Sequence, residues 1–235
     1  MITVTPFETL GTYKNDWLNA HYHFSFSSYR DPDRMGLGPL RVWNDDTIAP
    51  HTGFDTHPHK DMEIITYVRS GAISHRDNLG NTGVTRAGDV QVMSAGSGIE
   101  HAEHNEGDAP TTLFQIWIHT DTPEHTPRWD TREFPTAPVN GRLPVLASGN
   151  PNADGGLMIH QDAQVLGGRI RAGEAVAHTV GTGRGAYLVV AEGTIDINGH
   201  VAPQRAGVMI NASETLTITA AEDAEAVLVD VPLKF

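Results

Sequence analysis

Glu63-Ile-Ile-Thr-Tyr-Val-Arg69, closed at once by Ser70-Gly71, is the kind of unit from which this chain is built. A short run rich in β-branched and aromatic residues reads as a strand, and the small pair after it as a turn. Similar runs recur at Leu40–Asp46, Ala72–Arg76, Val90–Met93, Thr111–His119, Ala206–Ile210 and Ala226–Val231, with a hairpin reading over Tyr187–Gly199. Trp17–Ser27 reads as one more half-buried strand, because His23, Ser25 and Ser27 alternate with Phe24 and Phe26. With 24 glycines and 14 prolines in 235 residues, turns favour many short strands over long helices. The chain is expected to be all-β, as barrels or a sandwich.

The second half echoes the first. Arg69-Ser-Gly-Ala-Ile73 matches Ala191-Glu-Gly-Thr-Ile195, and Arg86-Ala-Gly-Asp-Val90 matches Arg205-Ala-Gly-Val-Met209. Gly71 to Gly193 and Gly88 to Gly207 are separations of 122 and 119 residues, the near-constant offset that a duplicated domain leaves behind. Between the halves, Pro123, Pro127, Pro135 and Pro138 lie among charges and few apolar residues, which reads as an inter-domain strap.

Sixteen Lys and Arg against 29 Asp and Glu give a formal net charge of −13. Such a surface repels phosphate backbones and anionic lipid heads, so direct nucleic-acid or membrane-surface binding is not expected. Without cysteine, a metal must sit on histidine, carboxylate or carbonyl groups. The N-terminus has no basic or apolar signal region, and no run approaches the roughly 20 apolar residues of a membrane span. A cytoplasmic protein is the expectation.

The candidate chemistry lies at Thr56-His57-Pro58-His59-Lys60 and Glu100-His101-Ala102-Glu103-His104-Asn105. Side chains two apart on a strand share a face, so His57 pairs with His59 and His101 with Glu103. On neighbouring strands aimed at one point, they offer three imidazoles and a carboxylate. That set suits a divalent transition metal with positions left for substrate. Pro58 fixes its own φ and stiffens the first pair. Glu63 follows His59 by four residues, on the same face if the strand is unbroken, and competes with Glu103 for the carboxylate role. Spacing alone leaves that choice open. His21-Tyr22-His23 has the same spacing but sits in an aromatic strand with no partner carboxylate, so packed histidines are the better reading there. His160, His178 and His200 form no His-x-His, and no metal is expected in the second half. On Thr111–His119, either Phe114, Ile116 and Ile118 or Gln115, Trp117 and His119 line a barrel interior; parity does not choose.

Gly53-(x3)-His57-x-His59-(x3)-Glu63-(x7)-Gly71 resembles the first cupin motif, and Gly88-(x5)-Ser94-x-Gly96-(x4)-His101-(x3)-Asn105 the second. The first has a shorter lead to its histidine pair; the second lacks the usual proline and has a longer glycine-to-histidine gap. With Thr56–His59, Met62–Val68, Ser94–Glu103, Gln115–Ile118, Phe24–Phe26 and Arg41–Asp46, these departures resemble the pirin family, in particular its bacterial quercetinase-type members. The resemblance is specific over residues 15–130. It implies a bicupin of two jelly-roll-type barrels: a metal-binding cupin over residues 1–130 and a degenerate cupin without metal over residues 131–235.

The same resemblance implies metal ligation by His57, His59, His101 and Glu103, with Glu63 left beside the ligands rather than on the metal. An imidazole-rich set with one carboxylate suits Fe(II), and also admits Mn, Co, Ni, Cu or Zn. The implied activity is quercetin 2,3-dioxygenase, acting on a small aromatic substrate and O2 with loss of carbon monoxide. Glu103 is the candidate base for the flavonol 3-hydroxyl. Two other readings fit the same residues. One is a metal- or redox-sensing protein acting through a protein partner; the other is a different small-molecule metalloenzyme.

Overall fold

The computed structural model describes residues 1–133 and 136–235. Its strands begin where the β-branched runs begin and stop where glycine or a polar turn breaks them. In the first half they are β1 (Ile2–Thr5), β2 (Gly11–Lys14), β3 (Leu18–Tyr22), β4 (Leu40–Ile48), β5 (Thr52–His59), β6 (Met62–Ser70), β7 (Ala72–Asp77), β8 (Thr82–Arg86), β9 (Asp89–Ser94), β10 (Ile99–Asn105), β11 (Thr111–His119) and β12 (Arg128–Glu133). The second half adds β13 (Val145–Ser148), β14 (Leu157–Met158), β15 (Gln164–Ile170), β16 (Ala175–Val180), β17 (Arg184–Glu192), β18 (Ile195–Ile197), β19 (His200–Ala202), β20 (Gly207–Ile210), β21 (Glu214–Ala220) and β22 (Ala224–Pro232). No helix among the described residues is long and apolar enough to cross a membrane.

Each half pairs a seven-stranded sheet with a four-stranded one. The orders are β2-β3-β4-β11-β6-β9-β12 with β5-β10-β7-β8, then β14-β13-β15-β22-β17-β20-β1 with β16-β21-β18-β19. The all-β, two-barrel architecture expected from the sequence is the one formed. The matched glycines sit at matched crossovers: Gly71 (φ 76°) carries the chain from β6 into the small sheet of the first barrel, and Gly193 (φ 75°) does the same after β17. Positive φ is nearly free for glycine and costly for other residues.

That crossover corrects the hairpin expected over Tyr187–Gly199. β17 pairs with β20 and β22, whereas β18 pairs with β19 and β21. With both edges of β17 already taken, the chain after Gly193 has to leave the sheet.

The halves also exchange ends. β1 pairs with β20, Ile2 opposite Ile210, so residues 2–5 extend the sheet of the second barrel. β12 pairs with β9 from Arg128↔Ser94 to Glu133↔Asp89, so the 130/131 division falls inside a strand of the first barrel. The proline-rich segment is therefore partly sheet rather than strap; its Pro135 lies outside the described residues. The expected strand over Trp17–Ser27 stops at Tyr22. Beyond it His23 and Phe24 turn inward, both fully buried, and meet Tyr187 of the second barrel: His23 Nδ1 lies 3.0 Å from its hydroxyl, and the Phe24 ring 4.7 Å from its ring.

The two large sheets face each other across a shared core that includes Trp43, Ile65, Tyr67, Phe114 and Ile116 from one half and Val165, Tyr187, Val189 and Val229 from the other. β6 and β11 are covered on both faces, which is why each reads as a nearly unbroken apolar run. The barrel interiors differ. In the second, Ala186, Leu188 and Val190 along β17 all join one apolar cluster. In the first, Val68 and Leu113 belong to one cluster and Ile64 and Met93 to another, and the position between them on β6 is Thr66. A buried polar rung of Thr66, His75, Gln91, His101, Glu103 and Gln115 fills the gap. Burying polar groups is costly unless they are hydrogen-bonded to one another, and the candidate site is built on this rung.

Candidate metal centre

β5 and β10 are hydrogen-bonded neighbours, with His101 opposite His57 and Ile99 opposite His59. The register then slips: His101↔His57 is followed by Glu103↔Phe54, which leaves one extra residue on β5. Within this bulge the Asp55 carbonyl lies 2.6 Å from His57 Nδ1. A carbonyl only accepts, so Nδ1 carries the His57 proton and Nε2 presents its lone pair. That Nε2 faces His101 Nε2 at 3.1 Å. The three rings form a tight triangle, with centroids 4.8 Å apart for His57 and His59, 4.5 Å for His57 and His101, and 5.0 Å for His59 and His101. One ligand atom from each lies within 4.8 Å of the other two.

Burial favours the neutral form of His59 and His101. Burial, followed by the charge of His57, lowers the His59 pKa to about 4. Burial and the surrounding imidazoles lower that of His101 to about 2. Neutral imidazoles with converging lone pairs need something positive between them, and a divalent cation fits this donor set.

Glu103 occupies the next inward position on β10. It lies with His101 and a further histidine, His75, in a second group whose ligand atoms are all within 4.8 Å of one another. The structure thus brings His57, His59 and His101 together and attaches Glu103 to that set through His101. Its carboxylate is held by Gln91 Nε2 at 2.6 Å and Thr66 Oγ1 at 3.4 Å on one oxygen, and by Gln115 Nε2 at 2.5 Å on the other. Burial pushes its pKa up, while His75, the Gln115 hydrogen bond, His57 and the Thr66 hydrogen bond pull against the rise.

Glu63 is elsewhere. Asp61 (φ 49°) breaks the strand between β5 and β6 and resets the parity that would have aligned Glu63 with His59. Glu63 instead shares the face of Ile65 and Tyr67, toward the second barrel. There its Oε2 accepts from Ser94 Oγ at 2.7 Å, and its Oε1 has no hydrogen-bond partner among the described residues. The expectation that Glu63 stands beside the metal ligands is therefore corrected. His21 and His23 are likewise remote, with His23 on Tyr187.

The parity of β11 is now settled. Phe114, Ile116 and Ile118 enter the inter-barrel core, and Gln115 and Trp117 face the site. Trp117 is half-buried, stands edge-on to His59 at 5.0 Å and to Phe26 at 5.3 Å, and donates from Nε1 to Gln115 Oε1 at 3.1 Å. Sequence reasoning missed His75, Gln91 and Trp129 as parts of the site, and left Gln115 undecided between the two faces of its strand. Trp129 on β12 stacks on His75 (5.0 Å, 10°) and donates to Gln91 Oε1 at 3.3 Å. Gly83 makes room for it, since a Cβ there would lie 2.3 Å from the indole. One signal was available: His75-x-Asp77 has the same two-residue spacing as the ligand pairs.

The Pirin family matches residues 4–118, and the family described as quercetinase C-terminal cupin domain matches residues 145–231. A pirin-like protein of Caulobacter vibrioides is 53% identical over 98% of this chain and 99% of its own length. The Escherichia coli K12 protein named quercetin 2,3-dioxygenase is 39% identical over 99% of each. The crystal structure of YhhW from E. coli superposes with a TM-score of 0.93 at 38% identity, covering 99% of this chain and 98% of that one. The bacterial pirin YhhW in complex with nickel(II) gives 0.92 at 37%, covering 99% of both chains. Fold, motifs and full-length similarity agree: this chain is a bicupin and belongs to the pirin family.

Proposed function

We propose that this protein is a metal-dependent dioxygenase of the pirin type that opens flavonols such as quercetin with O2 and releases carbon monoxide. The observation carrying this reading is the convergence of three imidazoles, His57, His59 and His101, beside the buried carboxylate of Glu103. These four residues would hold the ion. Fe(II) is the first candidate, with Mn, Co, Ni, Cu and Zn admitted by the same ligands; the nickel(II) complex of a 37% identical relative supports a first-row divalent ion. When bound, such a metal would supply Lewis acidity toward a phenolic oxygen, and the redox-active ions in this group, which exclude Zn, would also supply electron transfer toward O2.

The remaining work falls to the chain. Glu103 takes the proton of the flavonol 3-hydroxyl, acting as base from a carboxylate whose orientation Gln91 and Gln115 fix. Trp117 and Phe26 present an aromatic wall next to His59, suited to a planar ring system. The buried apolar clusters above and below the polar rung keep bulk water from it.

The test is oxygen uptake and carbon monoxide release with quercetin, using protein stripped of metal and reloaded singly with Fe, Mn, Co, Ni or Cu, paired with elemental analysis of protein purified without added metal. Stoichiometric uptake and release with at least one metal is expected. No turnover with any of them overturns the dioxygenase reading and turns attention to a metal-sensing role through a protein partner.

A further inference from the structure

Directly behind His101 lies an imidazole that the ligand set leaves unused. His75 on β7 stands opposite Glu103 in the β7–β10 ladder, is 2% exposed, and stacks on the Trp129 indole. Its Nε2 lies 3.0 Å from Asp77 Oδ2, and its Nδ1 lies 3.5 Å from His101 Nδ1. An ionised carboxylate only accepts, so Nε2 carries the His75 proton and Nδ1 turns a lone pair toward His101. Asp77 is itself fixed by the β7–β8 turn. Its Oδ1 accepts from Leu79 N at 2.9 Å and Asn81 N at 3.0 Å, and its Oδ2 from Asn81 Nδ2 at 2.9 Å.

We propose that His75, oriented by Asp77 and Trp129, is a positioning residue that holds His101 in its Nδ1–H tautomer, so that the Nε2 lone pair points at the cation. The inference rests on the metal-centre reading above. On the far side of the cluster the Asp55 carbonyl fixes His57 in the same tautomer, so the two facing rings are set by different devices for one purpose. Ligating histidines generally donate their other N–H to a fixed acceptor, and losing that acceptor costs about 10- to 100-fold in metal affinity. Here the acceptor is a histidine backed by a carboxylate, in place of a carboxylate or carbonyl itself. The rival arrangement is that His75 is itself a ligand, because His75, His101 and Glu103 also converge.

The experiment uses the full chain loaded with Zn(II) or Co(II). Chelator competition gives affinity and stoichiometry, and long-range 1H–15N spectra of histidine-labelled Zn(II) protein give the tautomers. We expect one equivalent of metal, His101 protonated at Nδ1 and ligated through Nε2, and about 10- to 100-fold weaker binding in His75→Leu with an altered cobalt absorption spectrum. His75→Gln, whose amide oxygen accepts the same N–H, should recover much of that loss. Unchanged affinity in a folded His75→Leu, ligation through His101 Nδ1, or two equivalents of which His75→Leu loses one would each overturn the proposal. Should His75→Leu not fold, the wild-type tautomer spectrum decides it. Wild-type protein that binds no metal, or binds it undiminished in His57→Ala, overturns the metal-centre reading itself, a result distinct from the others.

Discussion

Gln115 donates from Nε2 to Glu103 Oε2 at 2.5 Å, and in doing so ties the large sheet of the first barrel to the small one. The same amide accepts from Trp117 through its oxygen. Gln115→Leu would leave a buried carboxylate oxygen and a half-buried indole N–H without their partner. The expected cost in metal-free protein is about 1.5–3 kcal/mol, the range for a hydrogen bond to a charged group, read from urea unfolding. Gln91 serves the other oxygen of the same carboxylate, so a Gln91→Leu, Gln115→Leu double variant should depart from additivity, as members of one network do. Strict additivity would mean that the two amides do not act on a common group.

Glu103→Gln is the sharper chemical test. The substitution removes the negative charge and points an amide into a pocket whose Gln91 and Gln115 amides already donate there. Metal retention should fall. At saturating metal, turnover of quercetin should fall by about 10²- to 10⁴-fold if Glu103 is the general base. Full kcat in a metal-loaded Glu103→Gln protein would exclude that role while leaving ligation intact as a separate question.

The parts of this molecule that were readable in one dimension are those decided by local pattern. Thr111–His119 was delimited residue for residue because its β-branched run is bounded by Pro110 and Thr120-Asp121. The His57, His59 and His101 cluster was readable because two-residue spacing maps directly onto one strand face. Glu63 was misplaced because that logic needs an unbroken strand, and a single positive φ at Asp61 defeats it. The polar rung left no motif: Thr66, His75, Gln91 and Gln115 come from four strands, and each looks ordinary in its own segment. β1 could not be assigned to the second barrel because its partner, β20, lies some 200 residues away and only closure of the sheet brings them together.

Glu63 predicts an unusual pH dependence. Burial raises its pKa from 4.5 to about 7, against the opposing pull of the Ser94 hydrogen bond. The native state therefore keeps the Glu63 proton over a range in which the unfolded chain has released it. The corresponding stability is fully present below about pH 4.5 and is lost as pH rises through about 7, a total of about 3 kcal/mol. Glu225, raised to about 7 by burial, acts in the same direction. Glu63→Gln, which cannot ionise, should gain on the metal-free wild type as pH rises from 5 to 8. Parallel stability curves for the two proteins would contradict an ionising Glu63.

His23 acts in the opposite direction at lower pH. Full burial, then the charge of Arg205, lowers its pKa to about 3. Below about pH 6.5 the unfolded chain binds a proton that the native state refuses, so this group's contribution to stability declines as pH falls from about 6.5 toward 3. The slope approaches about 1.4 kcal/mol per pH unit. In metal-free His23→Phe the acid side of the stability profile should be flatter than in wild type. An identical acid limb in both proteins would count against a neutral, buried His23.

The His23–Tyr187 contact also depends on an absent side chain. A Cβ on Gly207 would lie 2.1 Å from the Tyr187 hydroxyl and 2.7 Å from His23 Nδ1, so this strand of the second barrel must be bare where the two halves meet. Gly207→Ala should cost about 1–3 kcal/mol through overpacking. Tyr187→Phe should cost a similar amount for a different reason, since His23 Nδ1 loses its partner in the 3.0 Å bond while still buried. Together they should cost less than their sum, because removing the hydroxyl takes away the atom the new methyl meets first. Urea unfolding of the two single variants and the double variant gives the coupling directly. A coupling of zero, or one in which the double variant is worse than additive, would show that the clash at Gly207 is borne by His23 and not by the Tyr187 hydroxyl.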